Sequence, residues 1–106
     1  MVRELAFEVE TPLGFTVRCT RAHWAFIVIQ KHPAMSGKEA ELRRVLSDPD
    51  EIRRSRKDPS VYLFYRADTR RWLCAVARRE DGSGFLITAY PTDAIKAGEI
   101  LWTRSR

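Results

Sequence analysis

One histidine, His32, stands directly before Pro33 at the end of an amphipathic stretch of the sequence. An imidazole titrates near neutral pH, so it can take up a proton and return it within one reaction. The same position also suits a structural role, because a cationic histidine at a helix C-terminus interacts favourably with the helix dipole. His32 is therefore a candidate general acid or base, and a structural role at the end of the helix explains its position equally well. His23, expected on the surface, is the weaker candidate.

Two hydroxyl side chains, those of Thr88 and Tyr90, lie two residues apart in the strand-like run from Phe85 to Tyr90. Alternate residues of a strand project from the same face, so both hydroxyls are expected to point the same way. Such a pair can orient a phosphate group or move a proton, although threonine and tyrosine are also ordinary strand formers.

Another strand-like run, from Val61 to Arg66, contains three aromatic and two aliphatic residues before its final arginine. Strand alternation places Tyr65 on one face and Arg66 on the other. Aromatic rings interleaved with arginine can stack on bases and hold phosphates. A tyrosine near a strand end is more often a half-buried amphipathic residue that fills space.

The most basic segment is Arg53-Arg54-Ser55-Arg56-Lys57, which has four cations in five residues. Strand alternation divides it between two faces, with Arg54 and Arg56 on one and Arg53, Ser55 and Lys57 on the other. Cations at this density can neutralise a polyphosphate backbone. They suit equally well a solvated edge strand that charge protects from aggregation.

The whole chain has a net charge of +5 and contains fifteen arginines against four lysines. Guanidinium groups bind phosphate through paired hydrogen bonds, which favours a phosphate-bearing partner. The arginine usage of GC-rich bacterial genomes explains the ratio at least as well. Only the clustering of the arginines is therefore informative.

The sequence lacks the motifs of several enzyme classes. It contains no nucleophile elbow, P-loop, dinucleotide-binding glycine pattern or zincin motif, and its carboxylates do not pair at the spacing of metal ligands. We therefore expect any catalysis to use side chains alone, with no metal and no cofactor.

The elements that must position these residues begin with a hairpin. Residues Leu5 to Thr20 alternate around the turn Thr11-Pro12-Leu13-Gly14, and Thr20 can cap a helix from Arg21 to about Lys31. Pro33 disfavours helical geometry at the residue before it. His32 is therefore predicted at the frayed end of this helix, continuing its apolar stripe.

The later part of the chain predicts a second helix and a series of hairpins. Ser36-Gly37-Lys38-Glu39 fits a capping box that starts the helix, and Pro49 ends it. Strands are predicted at residues 51–56, 61–66, 72–79 and 85–90, then a helical turn at 93–96 closed by Gly98, then a final strand or tail. The fold class is α+β, with two helices on one face of a four-stranded or larger antiparallel sheet whose other face is free.

At 106 residues the chain fits a single domain, residues 1–106. No apolar run approaches the roughly 18 to 20 residues that span a bilayer, and the N-terminus lacks a signal-peptide core, so we expect a soluble cytoplasmic protein. Cys19 and Cys74 lack zinc-site spacing. We predict that both are reduced, with a disulfide between them as the minor alternative.

Several short motifs occur in order along the chain. They are Trp24 with His32-Pro33-x-Met35, Leu46-x-x-Pro49-Asp50-x-Ile52-x-x-Ser55, Asp58-Pro59, Tyr65-Arg66 and Phe85-x-x-Thr88-Ala89-Tyr90-Pro91. Together they resemble the phage-associated branch of the barnase, EndoU, colicin and RelE nuclease-like group, over about residues 21–96. The order and spacing of the motifs, more than any one of them, make the resemblance.

This resemblance implies a nuclease-like core at residues 21–96, an N-terminal hairpin elaboration at 5–20 and a short strand or tail at 97–106. It implies a metal-independent endoribonuclease, a toxin or phage-derived protein, that cleaves RNA such as tRNA or mRNA and has an antitoxin or immunity protein as partner. The implied catalytic residues are His32, Arg66, Thr88 and Tyr90, and the implied substrate-binding residues are Arg53, Arg54, Ser55, Arg56 and Tyr65.

Cleavage by attack of the ribose 2′-hydroxyl needs two proton transfers, one from that hydroxyl and one to the leaving 5′-oxygen. Only His32 is a natural candidate near neutral pH. Tyr90 or Tyr65 can serve as the second group only if a neighbouring cation lowers its pKa from about 10. Two alternatives therefore stay open: an inactive module of the same fold that binds nucleic acid or protein, and a structural or assembly protein.

Overall fold

The computed structural model describes residues 4–104. Its strands are β1 Leu5–Glu10, β2 Thr16–Thr20, β3 Glu51–Ser55, β4 Val61–Asp68, β5 Arg71–Glu80, β6 Ser83–Thr92 and β7 Gly98–Thr103. Its helical segments are α1 Arg21–Phe26, a π turn Ile27–Lys31, a 3-10 turn Pro33–Met35 and α2 Glu39–Ser47. Within the described range, no helix is long and apolar enough to cross a membrane.

All seven strands form one sheet in the order β1-β2-β6-β5-β4-β3-β7. Neighbouring strands are antiparallel except β2 and β6, which pair in parallel through residues 16–18 and 83–85. The predicted α+β class is confirmed, whereas the prediction of a purely antiparallel sheet is wrong. A tight hairpin imposes antiparallel pairing, but the chain between β2 and β6 includes both helices and leaves their relative direction free.

The main core lies on the sheet face that α2 covers, which we call the helix face. Leu42, Val45 and Leu46 of α2 are fully buried in it, together with Ile27 of the π turn and Met35 of the 3-10 turn. Burying an aliphatic side chain of this size contributes roughly 1.5 to 3 kcal/mol. These contacts hold the whole helical part of the chain against the sheet.

The other side of the sheet, which we call the opposite face, is partly covered rather than free. A second buried cluster lies there, formed by Leu63, Tyr65, Cys74 and Val76. Because β7 pairs with β3, the segment 93–97 must cross from β6 over three strands, and its Ile95 packs against this cluster. The predicted helical turn at 93–96 is wrong, since a chain that spans this distance must be extended.

The start of α2 also differs from the prediction. The helix begins at Glu39 with Lys38 as N-cap, and no side chain caps it, so the capping box of Ser36 does not form. Gly37 has a φ of +77°, in the left-handed region that favours glycine. This conformation separates Ser36 from the first turn, where Glu39 and Glu41 instead interact favourably with the helix dipole.

Cys19 and Cys74 are both free and buried, as predicted for reduced residues. Cys19 belongs to the helix-face cluster and Cys74 to the cluster on the opposite face. The sheet itself therefore separates the two thiols.

A network of charges joins the end of β7 to the start of β3. Arg104 lies 2.8 Å from Asp48 and 3.0 Å from Asp50, and Arg66 lies 3.1 Å from Asp48. The hydrogen bond from Arg104 lowers the pKa of Asp48. Burial alone would raise the pKa of Asp50, but hydrogen bonds from the Ala67 backbone and from Arg104 outweigh it and lower that pKa.

We expect replacement of Arg104 by alanine to destabilise the fold most above about pH 5, where both carboxyls are ionised in the unfolded chain as well. A carboxyl with a lowered folded-state pKa stabilises the fold above its ordinary pKa, and this contribution is lost as the pH falls through the folded-state value. Thermal unfolding of both proteins at a series of pH values measures the effect. Melting temperatures that differ by the same amount at neutral and strongly acidic pH would contradict it.

Candidate functional site

An irregular turn at the end of the first helix positions His32. The backbone N–H of His32 donates to the carbonyl of Ile27, five residues earlier, at 2.7 Å. A regular α-helix would pair His32 with Val28, so the π turn contains one extra residue and shifts His32 from the predicted stripe. The predicted position before Pro33, at the end of the helix, is confirmed. Turns of this kind are frequent at functional sites.

The imidazole of His32 lies against the ring of Tyr90, with the two ring centroids 5.3 Å apart. Tyr90 and Thr88 both project from β6 to the opposite face, as predicted from their spacing. β2 pairs with β6 only as far as Phe85, and the helical segment 21–36 runs beside the rest of that edge. The fold therefore brings three predicted site residues together at the margin of the sheet.

Two tyrosines flank the buried thiol of Cys74. Burial raises the pKa of Tyr65 to about 12 and also raises the pKa of Tyr90. Burial likewise raises the pKa of Cys74 to about 11, although hydrogen bonds from both phenols favour its thiolate. Both phenols therefore stay protonated near neutral pH. They can donate a hydrogen bond there, but neither can accept a proton as a base.

The hydroxyl of Thr88 has no hydrogen-bond partner among the described residues, although its oxygen is buried. An unsatisfied buried hydroxyl costs roughly 1 to 3 kcal/mol, so most such groups in folded proteins are paired. Where one persists, a bound ligand is one of the explanations to test. This hydroxyl lies beside Tyr90 on the same face of β6.

Lys96 is a cation of this site that the sequence does not reveal. Its backbone N–H donates to the hydroxyl of Tyr65 at 3.1 Å, and its carbonyl accepts from Arg53 at 3.2 Å. Its ammonium lies 5.7 Å from the centroid of the Tyr90 ring. Lys96 follows β6 by a few residues in an irregular segment, so only the path of the chain over the sheet shows where its side chain lies.

Arg66, by contrast, is not brought to His32. It lies on the helix face, where it donates to the carboxylate and to the backbone carbonyl of Asp48. Its guanidinium links β4 to the end of α2. In this structure its contacts are structural.

Two of the four cations of the basic segment at β3, Arg53 and Arg54, are engaged in contacts within the protein. Arg53 pairs with Glu51. Arg54 lies 3.0 Å from Glu99 and donates to the carbonyl of Pro59 at 2.7 Å. Ser55 accepts a 3.2 Å hydrogen bond from the backbone of Lys57, and the side chains of Arg56 and Lys57 are exposed.

His23 has a structural contact that its sequence position does not predict. Its Nε2 lies 2.9 Å from the carbonyl of Ile87, on the edge of β6 that β2 leaves uncovered. Its ring also stacks on Phe26, with centroids 6.1 Å apart. His23 is thus half-buried and fixed, not free on the surface.

Within residues 4–104, no three His, Cys, Asp or Glu side chains group closely enough to hold a metal ion. Comparison of the chain with protein-family models, curated proteins and solved structures gives no match. The resemblance to the nuclease-like group therefore stays a prediction, and the function has to be argued from the site itself.

We expect replacement of Thr88 by valine to raise the free energy of unfolding by about 1 kcal/mol, because it removes an unsatisfied buried hydroxyl without changing the side-chain volume. If the hydroxyl serves a ligand, the same substitution lowers ligand binding or turnover. Chemical denaturation measures the first effect. A clear loss of stability would show that the hydroxyl has a partner within the fold.

Proposed function

We propose that this protein is an endoribonuclease that cleaves RNA through side-chain acid–base chemistry, without a metal ion. The observation that supports this best is that an imidazole and an ammonium both lie against the ring of Tyr90, with the side chain of Thr88 on the same face of the strand. His32 lies 5.3 Å from the Tyr90 ring centroid, Lys96 lies 5.7 Å from it, and Thr88 projects beside it. A proton acceptor next to groups that bind phosphate is what this reaction requires.

In the proposed reaction, His32 takes the proton of the ribose 2′-hydroxyl, and that oxygen attacks the adjacent phosphorus. The bond to the 5′-oxygen breaks, and this oxygen takes a proton from water, whose hydroxide is neutralised by the imidazolium. The ammonium of Lys96 stabilises the negative charge on the phosphoryl oxygens. The products are a 2′,3′-cyclic phosphate and a 5′-hydroxyl.

Tyr90 is a positioning residue in this scheme. Its ring supports the imidazole, while its hydroxyl faces the thiol of Cys74. Because burial raises the pKa of Tyr90, the phenol stays protonated near neutral pH.

RNA as substrate is supported by cations near the site. Lys31 directly precedes His32. Arg70 and Arg71 lie at the turn between β4 and β5, and the C-terminal end of β6, at Thr92, lies at the same end of the sheet. None of the three forms an ion pair within residues 4–104, and all are exposed. Exposed cations that remain available are the ones that can neutralise phosphates of a bound strand.

A second candidate function, an inactive module that binds RNA with the same surface, is favoured by one specific observation. The pKa of Tyr65 and the pKa of Tyr90 are both raised by burial, so neither meets the condition of a lowered pKa for the second proton-transfer group. Such a module would retain RNA in a salt-sensitive manner and release it unchanged.

We expect replacement of His32 by phenylalanine to reduce RNA cleavage by roughly 10²- to 10⁴-fold, because the ring packing on Tyr90 is kept while proton transfer is lost. The measurement is cleavage of tRNA and total RNA in EDTA, with detection of the 2′,3′-cyclic phosphate.

RNA affinity of the His32→Phe protein serves as the control and should stay close to that of the wild type. Cleavage that survives the substitution would contradict the proposal. Binding without turnover in both proteins would establish the inactive module instead.

We expect the double replacement Arg70→Ala with Arg71→Ala to weaken single-stranded RNA binding and to reduce the slope of log affinity against log salt by about 1.4, the effect of two lost phosphate contacts. The matched comparison is Arg56→Ala with Lys57→Ala, which removes the same charge from exposed residues after β3, at the opposite end of the sheet. Filter binding at several salt concentrations measures the RNA affinity and its salt dependence for both double variants. A larger effect of the second pair would place the RNA on the basic segment at β3.

A further inference from the structure

A groove of about 770 Å³ lies on the opposite face, between the N-terminal hairpin and the first half of β6. Phe85 and Ile87 of β6 form one side, Leu5 of β1 and Arg18 of β2 form the other, and His23 lies at its end. A cavity of this size falls within the range of small-molecule and cofactor sites. None of the catalytic steps proposed for His32 uses it.

The groove is lined mainly by apolar and aromatic side chains, and its polar lining includes Glu8, which lies opposite Arg18 in the register of β1 with β2. Phe85 is 41% exposed and Leu5 is 39% exposed, although both are large hydrophobic residues. The ring of His23 is held in place by its hydrogen bond to the Ile87 carbonyl, at 2.9 Å. A rigid aromatic wall of this kind suits a planar ring better than a flexible aliphatic chain.

One cation is available at the same place. Arg18 is paired in register with Phe85 across the parallel strands, so its side chain lies next to the aromatic wall. It is exposed and forms no ion pair in the part of the chain that the structure describes. An apolar wall with an adjacent guanidinium matches a nucleotide, which presents a flat base and a phosphate.

The groove and the candidate site lie along the same strand, β6. Ile87 of the groove precedes Thr88, and Phe85 is five residues from Tyr90 along β6, about 16 Å at the rise of a β-strand. One bound strand of RNA can therefore pass over both places. The direction of the RNA strand along β6 is set by whether the groove holds a nucleotide on the 5′ side or on the 3′ side of the scissile phosphate.

We propose that this groove is a nucleobase subsite, in which a base of the RNA strand a few nucleotides from the scissile phosphate stacks on Phe85 while Arg18 binds the phosphate of that nucleotide. This inference rests on the proposed ribonuclease function and adds a recognition site to it. Stacking is tolerant of base identity, so the subsite fixes the strand without specifying one sequence.

The test uses a single-stranded oligoribonucleotide with 2′-O-methyl sugars, which cannot be cleaved by this chemistry, and an abasic oligomer of the same length and charge. We expect Phe85→Ala to bind the base-bearing oligomer on the order of tenfold more weakly and the abasic oligomer as the wild type does. Phe85→Tyr should restore the affinity, which separates stacking from folding. Ile100→Ala is the matched control, because Ile100 is 56% exposed on the distant strand β7.

Unchanged affinity of Phe85→Ala for the base-bearing oligomer would overturn the subsite, and so would equal losses for both oligomers. Cleavage of natural RNA that depends on His32 but not on Phe85 would overturn the subsite alone and leave the ribonuclease standing. Base-dependent binding without cleavage by the wild type would support the subsite and contradict the catalytic function. Absence of RNA binding by the wild-type protein would overturn both.

Discussion

The hydrogen bond between His23 and the carbonyl of Ile87 is the contact on which the candidate site depends. β2 pairs with β6 for three residues and then turns into α1, so the next carbonyls of β6 lose their strand partner. The imidazole of His23 takes the place of that partner at 2.9 Å. The start of the helix is thereby held against the sheet edge, and the π turn that follows brings His32 to the ring of Tyr90.

The abundance of arginine has two different explanations within this one fold. Arg54, Arg66 and Arg104 are bound to carboxylates and join segments that lie far apart in the sequence. Their contacts hold β3, β4 and β7 in register and leave little of their charge for a ligand. The cations without such partners in residues 4–104, such as Arg70 and Arg71, lie at a turn instead. The sequence alone therefore does not show which cations are paired and which are available.

Local patterns predicted the local elements well. Alternation identified the hairpin and the later strands, and the hydroxyl of Thr20 does cap the first helix by accepting from the backbone of His23 at 3.1 Å. The predictions that failed concern contacts between distant parts of the chain. These are the parallel pairing of β2 with β6 and the crossing segment that places Lys96. The spacing of Thr88 and Tyr90 predicted one face, but no local pattern shows the extra residue in the π turn that aligns His32 with them.

The crossing of residues 93–97 over the sheet also makes the candidate site depend on contacts between remote parts of the chain. The connecting segment rests on the surface that the central strands create, and it brings Lys96 to the ring of Tyr90. The last strand and the parallel contact of β2 with β6 both join residues that are remote in sequence, and such contacts close slowly. The surface that holds His32, Tyr90 and Lys96 is therefore complete only when both outer edges of the sheet are in place.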